Sequence, residues 1–330
     1  MKVALVKPPQ QGSLQRGVGF YAQRLFDALN QRQVMEINWV DFSFNPLSYQ
    51  KFDIVHFPYF DEFFFTLPPF LPQKTVISIL DCTKLKFPGH FPAGLRGKVA
   101  WPWQKSLATR AAAIITLSES AKADIKTFFG SQESKINVTY LAADEIFKPL
   151  KSKRENFVLY VGGVNWNKNV ITLIRACQKI KMPLVLVGKE FLNKNVDFSN
   201  IENQSFIEIL KLVQDDKNIK MLGFVPTEGL VDLYNRAKVY VQPSVYEGFG
   251  LPILEAMSCG TPAICGKNSS LTEIAGDAAT YADVTDVNDL ASKIETIEPT
   301  GKEIFQARKF SWEKTATETV KVYEKVLAGL

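Results

Sequence analysis

Residues 246–262 read YEGFGLPILEAMSCGTP, and this stretch decides the fold class. Gly248 and Gly250 mark a tight turn, and Pro252 lies where proline is favoured, in the first turn of a helix. Gly260 marks the end of that helix. Because the β-branched run before Tyr246 predicts a strand, the segment is a strand, a glycine turn and a helix, the repeating unit of a parallel α/β sheet.

The same alternation extends outward in both directions. Short β-branched runs separated by helical patterns predict a series of strands. They are KVALVK (from Lys2), IVHFPY (Ile54), TVISIL (Thr75), AIITLS (Ala113), INVTYL (Ile136), FVLYVGG (Phe157), LVLVG (Leu184), IKMLGFV (Ile219), VYVQPS (Val239), PAICG (Pro262) and ATYAD (Ala279), and EINWVDF (Glu36) is a candidate for one more. We therefore expect an α/β protein with two doubly wound parallel sheets whose carboxyl edges face a shared cleft.

A polar stretch, KPLKSKREN from Lys148, interrupts the apolar pattern and has the composition of a linker. It predicts a first domain over residues 1–150 and a second over 151–312. Residues 313–330 are predicted to form an amphipathic helix that packs back on the first domain.

Composition narrows the class of protein. With 46% hydrophobic and 22% charged residues, the chain is typical of globular proteins. No apolar run approaches the roughly 18 residues of a spanning helix, and Pro8 and Pro9 interrupt the first apolar stretch, so we expect a cytoplasmic protein. The net charge of +5 suits an anionic donor or the inner face of a membrane, but no basic cluster indicates nucleic acid.

The four cysteines form no C-x-x-C pair and are predicted to be buried apolar side chains. With only His56 and His90 to join them, we predict no metal site and no cofactor.

The glycine turn has the chemistry of a phosphate site. Backbone N–H groups of Gly248, Phe249, Gly250 and Leu251 would lie at a helix amino terminus, which favours anions. Glu247 precedes the turn and Glu255 lies in the helix. Carboxylates beside a diphosphate accept hydrogen bonds from hydroxyls, such as those of a sugar and a ribose. The alternative for Glu255 is a favourable interaction with the helix dipole alone.

A second strand, turn and helix follow from Val158, in VLYVGGVNWNKNVITLIRA. Lys168 stands just before this helix, where its ammonium would neutralise a diphosphate. The alternative is an ordinary solvated lysine.

Glu247 and Glu255 enclose seven residues, and E-G-F-G-L-P-x-x-E followed by A-M-x-C-G-T-P resembles the E-x7-E signature of retaining family-4 glycosyltransferases, the glycosyl transferases group 1. The resemblance implies a GT-B fold of two facing Rossmann-like domains with an interdomain cleft. By that resemblance the second domain binds the nucleotide, Glu255 binds the donor ribose and Glu247 approaches the transferred sugar.

Two positions depart from this family pattern. Gly163 takes the place of an arginine that holds the diphosphate together with the lysine at Lys168; Arg16, Lys189 and Arg175 are the basic residues available to replace it. In ISILDCTKLKFP, Leu80 takes the place of a histidine that positions the donor sugar, whereas the adjacent Asp81 is retained.

Gly17 and Gly19 lie in a turn that, by the same resemblance, faces the phosphates and sugar of the donor. With Ala22 they also fit a looser dinucleotide-binding spacing, with Asp41 ending the second strand. That reading is disfavoured because the glycines trail the first strand by about ten residues instead of following it directly.

We therefore expect a retaining hexosyltransferase, mannosyltransferase-like, that uses GDP-mannose or, next, a UDP-hexose. No Asp-x-Asp is present, so metal-independent catalysis by Glu247, Lys168 and Asp81 is favoured. The aromatic stretch FPYFDEFFFTLPPFLP from Phe57 is expected to meet a glycan or lipid-linked acceptor, or else to fill the core or a subunit contact. The alternatives are a catalytically weakened sugar-binding homologue and, less favoured, a nucleotide-sugar epimerase.

Overall fold

The structure is a computed structural model that describes residues 1–8, 17–72, 74–193 and 195–329. The chain divides into two compact units. The first comprises Met1–Leu141 and Ser311–Leu330, and the second comprises Ala142–Phe310.

Twelve strands are present in the described residues, and each overlaps a run named above, although β7 and β10 begin two residues before theirs. They are β1 (Lys2–Val6), β2 (Glu36–Val40), β3 (Ile54–Phe57), β4 (Thr75–Ser78), β5 (Ala113–Thr116), β6 (Ile136–Val138), β7 (Glu155–Val161), β8 (Leu184–Val187), β9 (Ile219–Leu222), β10 (Ala237–Gln242), β11 (Ala263–Gly266) and β12 (Thr280–Ala282).

The helices are α1 (Val18–Gln31), α2 (Thr83–Lys86), α3 (Gly94–Arg110), α4 (Glu119–Phe129), α5 (Val170–Lys179), α6 (Gln204–Val213), α7 (Thr227–Arg236), α8 (Leu251–Ser258), α9 (Leu271–Ala275), α10 (Val287–Thr296), α11 (Glu303–Ala307) and α12 (Trp312–Ala328). Short 3-10 helices cover Pro46–Tyr49, Glu133–Lys135, Trp166–Lys168, Lys189–Leu192, Ile201–Asn203 and Gly276–Ala278. None of the helices in the described ranges is long and apolar enough to cross a bilayer.

Each unit contains a six-stranded, all-parallel sheet. The strand order is β2-β1-β3-β4-β5-β6 in the first unit and β12-β11-β10-β7-β8-β9 in the second. Central strands such as β3, β4 and β5 are buried along their whole length, as expected when helices cover both faces of a parallel sheet. The chain reverses direction across the sheet between β1 and β3 and again between β7 and β10, and ligands bind outside such switch points in open α/β sheets.

Helix α12 is part of the first unit. It buries Ala316, Val320 and Tyr323, and the Tyr323 hydroxyl lies 2.7 Å from Nδ1 of His56 in β3. Nε2 of His56 lies 2.8 Å from the Ser78 hydroxyl, which in turn lies 2.8 Å from the Tyr21 hydroxyl of α1. Four secondary-structure elements are thereby joined by one buried hydrogen-bond chain.

The segment predicted to be a linker is held by the second unit. The Asn235 side chain accepts a hydrogen bond from the Leu150 amide at 2.6 Å and donates to the Lys148 carbonyl at 3.0 Å. Residues 142–150 therefore group with the second unit, whereas the predicted domain boundary lay at residue 150.

Candidate functional site

The switch point of the second unit brings two predicted site residues together. Lys168 follows β7, and Glu247 follows the neighbouring strand β10. The Lys168 ammonium lies 2.8 Å from each carboxylate oxygen of Glu247. The Glu247 side chain is 9% exposed and that of Lys168 is 26% exposed, so the ion pair is largely shielded from water. The two side chains are expected on different parts of the donor, and their direct contact is visible only in the structure.

The Glu247 carboxylate is positioned by neutral donors as well. Gln242 Nε2 and the Ser244 hydroxyl each donate to Oε1 at 2.6 Å, and Lys168 donates to the same oxygen. Oε1 therefore receives three hydrogen bonds, whereas Oε2 receives that of Lys168. A carboxylate offers about four acceptor positions in all. Because Oε1 already accepts three hydrogen bonds, Oε2 is the oxygen with room to accept another from a hydroxyl group.

Two asparagines fix the loop that carries Lys168. Asn167 donates to the Tyr246 carbonyl at 3.1 Å, and its own carbonyl accepts from the Val245 amide at 2.9 Å. Asn169 adopts a left-handed conformation with φ of 51° and donates to the carbonyls of Pro243 and Val284. The β7 loop is thereby bonded directly to the loop that carries Glu247.

Glu255 lies on α8 and accepts a hydrogen bond of 2.9 Å from the hydroxyl of Tyr234, which is fully buried on α7. Burial, then the neighbouring Tyr160 and the carboxylates of Glu247 and Glu255, raise the pKa of Tyr240. The negative charges of both carboxylates of the seven-residue spacing therefore oppose ionisation of the same buried hydroxyl.

The glycine turn before α8 is tightly constrained. Gly250 has a φ of +97°, and a Cβ at this position would lie 2.7 Å from a methyl group of Leu271. The Ser270 hydroxyl lies 2.9 Å from the carbonyl oxygens of both Glu247 and Phe249. Gly248, Phe249 and Gly250 are buried and Leu251 opens α8, so the predicted segment leads directly into a helix amino terminus.

Gly163 differs from its neighbour Gly162 in the space around it. A Cβ on Gly163 would have as its nearest neighbour Asn165 Oδ1 at 3.6 Å, an ordinary contact. A Cβ on Gly162 would lie 2.6 Å from the Tyr160 hydroxyl, which donates to the Gly163 carbonyl. The backbone therefore accommodates a side chain at position 163.

The proposed substitutes for the missing arginine lie in different places. Lys189 immediately follows Gly188 at the carboxyl end of β8, on the same sheet edge as Lys168. Arg175 lies on α5 and pairs with Glu208 at 2.7 Å. Arg16 lies outside the described residues. Of the two described candidates, Lys189 is on the edge that carries the site.

The first unit has a second group of polar residues at the carboxyl ends of β3 and β4. Asp81 accepts from the Thr83 amide at 2.8 Å, and Lys84 pairs with Asp61 at 2.5 Å. Glu62 is 5% exposed, and burial together with Asp81 raises the pKa of its carboxyl to about 8. Asp81 was predicted as a site residue; Glu62 and Lys84 were missed.

The remaining positions of the first unit named in the sequence lie at the start of α1, in the core, or in the turn before α3. Gly17, with φ of 62°, precedes α1, and Gly19 is buried in its first turn. His56 is fully buried, and burial lowers its pKa to about 3, so its imidazole serves the core and does not replace the histidine missing at Leu80. His90 lies in the turn before α3.

The aromatic stretch from Phe57 is both core and surface. Phe57, Phe60 and Leu67 are buried in the core of the first unit, whereas Phe64, Phe65 and Phe70 are exposed. The cysteines are all free and buried, as predicted. Among the described residues no group of three or more His, Cys, Asp or Glu side chains is placed to hold a metal ion.

Several site residues gave no recognisable signal in the sequence. Gln242, Ser244, Asn167 and Tyr234 contact the predicted residues only through the tertiary fold. The one available clue was position, because Gln242 and Ser244 lie at the carboxyl end of a predicted strand.

Comparison with known proteins identifies a family. The model described as Glycosyl transferases group 1 matches residues 142–313, just over half of the chain. The chain is 32% identical over 237 residues to the O-antigen chain mannosyltransferase B of Escherichia coli, an alignment covering 64% of this chain. It spans 60% of the length of that relative.

Solved structures share the architecture over the whole chain. Sucrose-phosphate synthase from Thermosynechococcus elongatus has a TM-score of 0.78 at 19% identity, with 100% of each chain covered. HepE from Anabaena, in complex with UDP-glucose, has a TM-score of 0.68 at 17% identity, with 99% of this chain and 98% of that chain covered. At such identities the likeness shows the fold, and the fold class is GT-B, as predicted.

Proposed function

The chain belongs to the glycosyl transferases group 1 family, and from this premise we propose that it moves a hexose from a nucleotide-diphosphate sugar to a glycan or lipid-linked saccharide, retaining the anomeric configuration. The observation that carries the proposal is the largely shielded Lys168–Glu247 pair at the switch point of the second sheet, beside the amino terminus of α8. It combines a cation for phosphate with a carboxylate for hydroxyl groups.

In the proposed reaction Lys168 is shared between Glu247 and the donor diphosphate. As the bond between the sugar and the phosphate breaks, its electron pair stays on the leaving diphosphate, whose added charge the ammonium and the amides of Phe249 to Leu251 stabilise. Glu247 Oε2 accepts a hydrogen bond from a sugar hydroxyl and thereby orients the sugar ring during oxocarbenium-like transfer. The acceptor attacks from the leaving-group side and gives its proton to a phosphate oxygen, so no separate protein base is required. Because the ammonium and the amides stabilise the leaving diphosphate, the proposed reaction also requires no metal.

The remaining donor contacts belong to the same proposal. Glu255 binds the ribose, with its carboxylate oriented by Tyr234, and Gly163, Gly248 and Gly250 let the backbone approach the diphosphate. Asp81, Gly17 and Gly19 are assigned to the sugar and phosphates by family resemblance.

GDP-mannose is the proposed donor because the E. coli relative is a mannosyltransferase, and a UDP-hexose is the second candidate because HepE is described with UDP-glucose. We also propose a cytoplasmic location with peripheral membrane contact.

The test is nucleoside diphosphate release from GDP-mannose and UDP-glucose, with and without mannosides as acceptors and in the presence of a chelator. We expect turnover in chelator, a loss of kcat of at least about 100-fold in Glu247→Ala, and a similar loss in Lys168→Ala. Arg175→Ala, which removes an exposed cation of the same unit, is the control and should keep wild-type kcat.

Unchanged kcat/KM in both site variants would reject the assignments, and loss of turnover with chelator would reject metal independence. A catalytically weakened homologue is the second candidate, favoured by Gly163 and Leu80. It would bind the donor without product formation for any acceptor.

A further inference from the structure

Helix α3 has an apolar face on its outer side as well as its inner side. Gly97, Ala100, Gln104 and Leu107 are buried against the first unit. On the opposite face Leu95 is 85% exposed, Val99 is 69% exposed and Trp103 is 48% exposed. At about 100° per residue these three side chains and Pro102 fall within an arc of about 100°. An exposed apolar stripe of this kind marks an interaction surface.

Cations flank this stripe on both sides. Arg96 lies on one side, and Lys98 and Lys105 lie on the other, with Arg110 at the end of the helix. None of these four side chains pairs with a carboxylate in the part of the chain that the structure describes. The sequence from Thr83 to Ser118 contains six Lys or Arg residues and no Asp or Glu. An anionic partner would therefore meet no negatively charged side chain along the helix.

The aromatic loop extends the same surface. The Arg96 guanidinium lies 4.4 Å from the centre of the Phe64 ring, and a Cβ on Gly97 would meet Phe63 at 2.9 Å. Gln104 donates to the Phe64 carbonyl at 2.7 Å, which holds the loop on the helix. Phe64 thus lies beside the start of the stripe, and the exposed Phe65 is the next residue of the loop.

We propose that the outer face of α3, with Phe64 and Phe65, docks on an anionic lipid bilayer. An interfacial helix inserts an apolar stripe at the level of the headgroups while flanking Lys and Arg side chains contact anionic lipids, and tryptophan favours that depth. The stripe supplies Leu95, Val99 and Trp103, and the flanks supply the cations that have no carboxylate partner among the described residues. The inference rests on the membrane contact of the proposed function, which it assigns to named residues of the first unit, and its flotation test is independent of donor turnover.

The test is vesicle flotation of the full chain. Wild type should float with vesicles made from an equal mixture of phosphatidylglycerol and phosphatidylcholine, much less with phosphatidylcholine alone, and less as salt rises. Leu95→Ser/Val99→Ser/Trp103→Ser should lower the partition coefficient at least about tenfold. Arg96→Gln/Lys98→Gln/Lys105→Gln should lower it roughly fivefold for each cation removed.

A matched control removes three similarly exposed apolar side chains from the second unit, as Leu192→Ser/Phe198→Ser/Phe305→Ser, and should float like wild type. Thermal midpoints of all variants establish that they are folded. Equal flotation of wild type with both vesicle types, or of the α3 and control variants, would overturn the proposal. A dimer that the α3 serine variant abolishes, without vesicle binding by wild type, would overturn it in favour of a second copy of the chain.

Discussion

A double-mutant cycle on Lys168 and Glu247 measures the interaction on which the proposed site rests. The perturbations are Lys168→Met, Glu247→Gln and both together, which keep approximate shape while removing charge. At the observed 2.8 Å, one unit charge pair is worth about 6 kcal/mol at an effective dielectric constant of 20 and about 1.5 kcal/mol in water. Desolvation offsets part of this, so we expect a coupling energy of about 2 to 4 kcal/mol.

The assay is urea unfolding followed by circular dichroism and tryptophan fluorescence. The control is the same cycle on Arg175 and Glu208, which lie 2.7 Å apart with side chains 52% and 45% exposed. Because water and salt screen an exposed pair, its coupling should stay below about 1 kcal/mol. A Lys168–Glu247 coupling under about 0.5 kcal/mol, or one no larger than that of the control, would refute the reasoning.

Three further predictions concern the glycines and Glu62. Gly250→Ala should lower the free energy of unfolding by about 2 kcal/mol in chemical unfolding, because φ at this position is +97° and the new Cβ would contact Leu271. Gly163→Ala should change the free energy of unfolding by less than about 0.5 kcal/mol. Equal effects of the two substitutions would contradict the strain argument. Gly163→Arg should tighten nucleoside diphosphate binding about tenfold in calorimetry, because there is space for a side chain at this position and a guanidinium binds phosphate well. Gly162→Arg, in contrast, should unfold the loop by displacing Tyr160. Weaker binding by Gly163→Arg would place the diphosphate elsewhere. Since burial raises the pKa of Glu62 to about 8, its contribution to stability is complete below the unfolded pKa near 4.5 and is lost as pH rises through about 8. The free energy of unfolding of Glu62→Gln should therefore match that of wild type near pH 5 and exceed it by on the order of 3 kcal/mol near pH 8.5. A difference in thermal midpoint between the two proteins that stays constant across that pH range would contradict the raised pKa.

The strands and the strand, turn and helix of the candidate site in the second unit could be predicted from the sequence because their signals are local. β-branched runs mark each strand, and the glycine turn with Pro252 marks the start of α8. The seven-residue spacing of Glu247 and Glu255 is likewise visible without a structure.

The Lys168–Glu247 contact could not be predicted in this way, because 79 residues separate the two side chains and only the pairing of β7 with β10 brings them together. The aromatic stretch shows the same limit. Its composition is compatible with burial and with exposure, and the loop is bonded to α3 through Gln104, which lies 40 residues away from Phe64 in the sequence. The core role of His56 depends on Tyr323, which is 267 residues distant.

The central claim is that the Lys168–Glu247 edge of the second unit binds a nucleotide-diphosphate sugar, with Glu255 on the ribose. The most direct measurement is calorimetric titration of wild type, Lys168→Ala and Glu255→Ala with GDP, UDP, GDP-mannose and UDP-glucose. We predict that wild type binds one nucleoside diphosphate per chain and that each substitution weakens that binding at least about tenfold, corresponding to about 1.4 kcal/mol. Wild-type affinity in both variants, or no binding of any of the four ligands by wild type, would contradict the account.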